Sequence, residues 1–221
     1  MKLSGQCQSI LDGYRNQKSI GLLSIDTLVY FFFSAILSAI GFMYDDYSVI
    51  LGSMLISPVT DPIKESVLLY LSGDHEHVPE KLLGLVLFIC MAIGFGIVAE
   101  QLNNYYLNFD IPTKTMLTLT DSRFLKVNFL IGFMFGIAIS YSTLKGNYSA
   151  VIGLNLAVAI MPPLVNSGFF FSRYLNKLND TTISKEDANI EYQRGFSSLM
   201  IALINILGIC ISLLIGFYIF C

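Results

Sequence analysis

The chain alternates long apolar runs with short polar punctuation. Six runs, at about 24–43, 47–71, 82–102, 124–144, 148–174 and 196–220, each hold roughly twenty residues or more with few charges, the length at which a helix crosses a hydrocarbon core about 30 Å thick. Most lack a polar face at helical spacing, which predicts helices that are apolar all round rather than the amphipathic helices of a water-soluble core. Two turns, "YDDY" (44–47) and "SGDHEHVPEK" (72–81), are short enough to make successive helices neighbours. Two longer polar stretches, 103–123 and 175–195, are loops with room for a surface element. The first 23 residues form a polar, mildly basic lead-in. The first run is too long for a secretory leader and no small-residue cleavage pattern follows it, so it is expected to remain in the mature chain.

Two of the runs are interrupted. "GSMLISPVTDPI" (52–63) carries Pro58 and Pro62, and "AIMPPLVNSG" (159–168) carries Pro162 and Pro163. Proline removes a donor and collides with the carbonyl one turn earlier, so each pair predicts a helix break. Broken backbone at membrane depth survives only where protein or a wet cavity answers its freed polar groups. Asp61 followed by Pro62 has the form of an N-cap and first helical residue, with Ser57 and Pro58 as a second restart one turn earlier.

Shifting the chain by 101 residues lays "YSVILGSML" (47–55) on "YSAVIGLNL" (148–156), matching Tyr47, Ser48, Gly52 and Leu55 to Tyr148, Ser149, Gly153 and Leu156, with the prolines following in both copies. The predicted fold is therefore an all-α integral membrane domain over 24–221. It has six transmembrane helices in two three-helix repeats (about 24–102 and 124–220), the middle helix of each broken at its prolines. An odd number of crossings per repeat inverts one copy relative to the other, the plan of many transporters, whose sites lie near the midplane where broken helices meet.

Composition agrees: 54% hydrophobic residues, 13% charged and a mean hydropathy of +0.66. The net charge of −3 and the lack of a basic run exclude a nucleic-acid partner. Neither the cysteines nor His75 and His77 around Glu76 have ligand spacing, so no metal or cofactor is expected. The candidate solute or ion site is Ser57, Thr60, Asp61 and Glu65 on the first broken helix with Asn155, Asn166 and Ser167 on the second. Asp61, Lys64 and Glu65 share a helical face, and an acid within a span is a functional candidate. Glu100 is expected at an interface, and Arg123 as a headgroup anchor. Gly132 and Gly136 suit close helix packing, within one chain or between copies of a homo-oligomer. Cations number five on the side of the N-terminus and seven on the other, which opposes the N-inside direction that the lead-in favours.

"YSVILGSMLISPVTDPI", "NFLIGFMFGIAISYS", "AVIGLNLAVAIMPPLVNSG" and "INILGICISLL", in that order, resemble domain-of-unknown-function family 389, a group of uncharacterised prokaryotic hydrophobic proteins. The resemblance covers about residues 24–220, and the two proline motifs are its most specific parts. It implies the fold and an address in the cell (inner or cytoplasmic) membrane, with several crossings, and supplies no substrate. In that family glycine is usual at the position of Asp61 and alanine frequent at that of Ser57, so an acid at 61 is not a shared coupling group. Relatives often carry a soluble domain ahead of the membrane part, which the short lead-in does not provide.

The function expected from these residues is a transporter or channel-like carrier for a small solute or ion. A non-catalytic structural or regulatory membrane subunit is the alternative. An embedded enzyme is disfavoured because no hydrolytic motif such as "HExxH" or "GxSxG" is present.

Overall fold

The computed structural model describes residues 24–121, 123, 125–146, 160–179 and 184–220. Among them the regular structure is helical: α1 (Ile25–Met43), α2 (Tyr47–Ile56), α3 (Thr60–Leu71), α4 (Val78–Leu102), α5 (Lys114–Thr118), α6 (Leu125–Leu144), α7 (Met161–Asn179) and α8 (Lys185–Phe220). Four helices are long and apolar enough to cross a membrane: α1, α4 with its extension to Leu107, α6 and α8. Their outer faces carry exposed Phe32, Phe33, Leu83, Val86, Leu130, Met134, Leu207 and Ile215, side chains suited to lipid.

The local chemistry of each joint is visible in the sequence. At "YDDY", Asp45 adopts the left-handed conformation (φ 55°), and the N–H groups of Asp45 and Asp46 return to the carbonyls of Phe42 and Gly41, closing α1 in a Schellman turn. Asp46 then caps α2, its carboxylate accepting from the N–H of Ser48 at 2.8 Å. Helices α1 and α2 fold back as a hairpin sealed by serines without exposure. Ser38 Oγ meets Ser53 Oγ at 2.8 Å, and Ser34 Oγ donates to the Ser53 carbonyl at 2.8 Å.

The break between α2 and α3 falls at 57–59, around buried Pro58. The Ser53 carbonyl, in the last turn before the gap, keeps its helical bond from the Ser57 N–H and also takes the Ser34 hydroxyl, so α1 holds the end of α2 in place. The restart differs from the expected one. Val59 holds the cap position and makes no side-chain cap bond, which puts Asp61 at the second helical residue and Pro62 at the third. Pro62 still needs no N–H there, because the first turn has no partner for one. Likewise Pro162 and Pro163 are the second and third residues of α7: they open a helix. Residues 147–159, which include Asn155 and the segment expected to precede that break, lie outside the described residues.

The two longer polar stretches are partly helical. Helix α7 runs on to Asn179, and α8 begins at Lys185, about ten residues before its apolar run. At about 1.5 Å per residue the 36-residue α8 is roughly 54 Å long, more than a hydrocarbon core needs. The 103–123 stretch continues α4 as a π-helical turn (Asn103–Leu107), then carries α5. Met116 of α5 is fully buried.

Packing follows small residues. α6 runs parallel to α8: a methyl group built on Gly132 would lie 2.9 Å from the Asn205 carbonyl oxygen, and one on Gly208 would lie 2.9 Å from that of Phe129. Gly132 and Gly136 therefore serve contact within the chain. Gly132→Leu is expected to cost about 1–3 kcal/mol by forcing α6 off α8. Gly94→Leu, where nothing lies within 4 Å of the added carbon, should leave the thermal midpoint in detergent unchanged; equal midpoints for the two variants would refute this packing.

Candidate functional site

Helix α7 is buried on every side from Met161 to Phe170. It lies parallel to α4 and antiparallel to α8, and glycines set how closely. A methyl on Gly96 of α4 would stand 2.9 Å from the Gly168 Cα of α7, and one on Gly195 of α8 would stand 2.8 Å from the Phe171 ring. One turn from these crossings the same helices carry charge: Glu100 four residues after Gly96, Arg173 five after Gly168, Glu191 four before Gly195. Close approach of three backbones thus gathers three ionisable side chains.

The result is a network of five. Arg173 Nη1 lies 3.8 Å from Glu100 Oε1, and its Nη2 lies 3.5 Å from Glu191 Oε1. Lys177 Nζ donates to Glu191 Oε1 at 2.7 Å, and Arg194 Nη1 approaches Glu191 Oε2 at 3.5 Å. Glu100 is 4% exposed and Glu191 1%, so water does not share their charge. Three cations face two carboxylates. The Oε2 of Glu100 and the Nε of Arg173 are buried without a hydrogen-bond partner. Alongside, Gln101 Nε2 ties α4 to α7 through Ser172 Oγ (2.9 Å) and Asn176 Oδ1 (3.1 Å).

A cleft of about 340 Å³ opens beside the Glu100–Arg173 pair, lined also by Asn103, Asn104, Asn108 and Asp110. Asn103 shapes it, accepting the Phe109 N–H at 2.8 Å and donating to the Phe109 carbonyl at 3.3 Å. Asn108 makes the bend with φ 53°. The α1–α2 turn reaches the same end of the bundle: Tyr44 packs on Phe109, and the Thr115 N–H and hydroxyl donate to Asp45, holding that carboxyl below its usual range.

The residues expected to form the site fall in separate settings. Asp61 is ion-paired with Lys64 at 3.1 Å with its side chain 49% exposed, and Glu65 with Lys81 at 3.0 Å. Thr60 and Pro58 are buried and Ser57 is half-buried. Asn166, fully buried, donates to the Met116 carbonyl (3.0 Å) and Ser198 Oγ (3.1 Å), and Ser198 donates to the Pro163 carbonyl (2.9 Å). Asn166 therefore pins α5 over the start of α7, while its own Oδ1 has no partner. Ser167 Oγ turns back to the Leu164 carbonyl. Glu100, expected at an interface, is enclosed by α7 and α8. Arg173, Lys177, Glu191 and Arg194 were not singled out from the sequence; their signal is spacing, i,i+4 on α7 and i,i+3 on α8. Arg123 pairs with Asp121 at 2.7 Å.

A bundle of apolar helices with exposed aliphatic faces defines a membrane protein. The chain belongs to the family described as Domain of unknown function (DUF389), whose profile matches residues 54–211. It is 23% identical over 205 residues to Uncharacterized protein MJ0678 of Methanocaldococcus jannaschii, a match that takes in 92% of this chain and 57% of that relative. The chain thus spans little more than half the relative's length. No solved structure matches it.

Two outcomes follow. Glu191→Ala leaves three buried or half-buried cations without their shared carboxylate and is expected to cost about 3–5 kcal/mol. Asp61→Asn, which opens a half-exposed pair, should cost under about 1 kcal/mol. Thermal unfolding in detergent compares them, and equal losses would show that the network around Glu191 is no more strongly coupled than the exposed Asp61–Lys64 pair. In the 72–81 turn, His77 Nδ1 meets Asp74 at 2.9 Å, and this bond raises the imidazole above its ordinary 6.5. A raised value means the pair contributes fully below about 6.5 and fades as pH climbs through the higher value. Histidine NMR should show His77 titrating late, and Asp74→Asn should return it to the ordinary range.

Proposed function

We infer that this protein is a carrier moving a small polar solute or ion across a cell membrane, the cytoplasmic one, and that it is not an enzyme. The observation that carries this reading is the Glu100–Arg173 pair, enclosed between apolar helices and bordering an open polar cleft. A charge inside a spanning bundle is costly and marks a solute or ion path more often than a packing contact.

The carrier has six crossings, with α2 and α3 as one broken span and α7 as the second half of another. Two facts support this. The 101-residue shift moves Met43, the end of α1, onto Leu144, the end of α6, and Thr60, the start of α3, onto Met161, the start of α7. Packing directions also alternate as six crossings require: α1 antiparallel to α2, α4 parallel to α7, α7 antiparallel to α8, and α6 parallel to α8. In the inverted arrangement α1–α4 form one half and α6–α8 the other, and the Glu100–Arg173 pair joins them. Rocking of one half against the other opens the path alternately.

Reconstitution in liposomes tests the reading. Uptake of labelled amino acids, amines, carboxylates and inorganic ions should reveal saturable flux of at least one, lost in Glu100→Gln. Correctly folded protein in sealed vesicles that pass nothing across the panel would sink the carrier and favour a structural subunit.

A further inference from the structure

The cleft at the end of α4 carries charge of both signs. Glu100 and Asp110 supply carboxylates, Arg173 a guanidinium, and Asn103, Asn104 and Asn108 amides. At about 340 Å³ it stands at the small end of ligand pockets, about 300–1,000 Å³.

Arg173 is loosely held. Its contacts of 3.8 and 3.5 Å exceed the roughly 2.7–2.9 Å of charge-assisted hydrogen bonds, and its Nε is buried without a partner. A guanidinium fork matches a planar carboxylate through two parallel bonds, and neither Glu100 nor Glu191 uses it so. Lys177 and Arg194 already neutralise Glu191, which frees Arg173 for another anion without leaving a bare charge. Glu100 shows the converse deficit: it is 4% exposed and its Oε2 has no partner. Asp110 is exposed at the rim, and the cleft sits where α4 ends, on the negative side of the helix dipole. These three features favour a positive group.

We propose that this cleft binds a small zwitterion, a solute bearing an ammonium and a carboxylate group as an amino acid does, with the carboxylate on Arg173 and the ammonium between Glu100 and Asp110. A simple cation leaves Arg173 opposing it. A simple anion meets two carboxylates. The zwitterion completes both deficits and leaves the site's net charge unchanged. The proposal deepens the carrier reading and rests on it for calling this ligand the substrate; binding itself needs no transport.

The test uses the full chain in phosphatidylcholine nanodiscs and calorimetric titration with alanine, ethylammonium and propionate, the last two being alanine without its carboxylate and without its amine. Alanine should bind saturably and at least about tenfold more tightly than either fragment, because each fragment leaves a buried polar group unpaired. Arg173→Lys keeps the charge beside Glu191 but loses the fork, and should weaken alanine about tenfold while leaving ethylammonium unchanged. Asp110→Asn, on the exposed rim where folding is not at stake, should weaken alanine and ethylammonium together. Absence of alanine binding, or a fragment binding as tightly as alanine, overturns the proposal. Vesicles that move another solute while alanine fails to bind sink the ligand class and spare the carrier; alanine binding without flux does the reverse.

Discussion

The rest of the structure is arranged around α7, a helix buried on its whole circumference through its first ten residues that nevertheless carries polar groups. In a bundle bathed by lipid, water answers few of them, so neighbouring helices must. Each does so at a defined place: Ser198 and the Met116 carbonyl take Asn166, Gln101 takes Ser172 and Asn176, and Glu100 and Glu191 face Arg173 and Lys177. Glycine at Gly96, Gly168 and Gly195 is what lets α4 and α8 come near enough. The energetic worth of such a network lies less in its formation than in the cost of losing one member, since the desolvation of buried charges nearly cancels their attraction.

Much of the bundle was legible because lipid imposes a length and proline imposes a boundary. The runs read at 24–43 and 124–144 match α1 and α6 to within a residue at each end. The break near Pro58 was legible too. Its register was not, because a residue's preference for the cap position is worth only about 1 kcal/mol and the burial of Pro58 and Val59 outweighs it. Hydropathy alone opens the last apolar run near 196, because Glu191 and Arg194 count as loop residues on that scale. Glu191 pairs with Arg173 and Lys177 of α7, and Arg194 with Glu191; with those partners the polar turns of α8 are stable.

The site was less legible than the fold for the same reason. Asp61 and Glu65 drew attention as acids beside a break, yet each has a lysine within reach on its own or the adjacent helix and an exposed flank. Glu100 looked ordinary at the end of an apolar run. Its significance comes from a contact about 70 residues away, with Arg173, which is itself paired with Glu191, and no local spacing encodes that. Asn166 was found by its position within an apolar run, but the sequence could not say that its amide would hold α5 in place.

The match of helix ends under the 101-residue shift does not extend to the charges. Under the 101-residue shift, Arg173 and Lys177 fall on Ser72 and Glu76, Glu191 and Arg194 on Cys90 and Ile93, and Glu100 on Ile201. In the proposed inverted arrangement the two ends are therefore unlike. At one end a buried ionic network ties the halves together through Glu100 and Arg173. At the other, among the described residues, the Glu65–Lys81 pair lies on one half alone and is 36% exposed at its carboxylate, and it does not link the halves. Buried pairs resist separation more strongly than exposed ones, so a rocking motion costs more at the first end unless something replaces the pair as it parts. In the proposed carrier, a ligand that completes both Arg173 and Glu100 would supply that replacement, coupling occupancy of the cleft to parting of the pair.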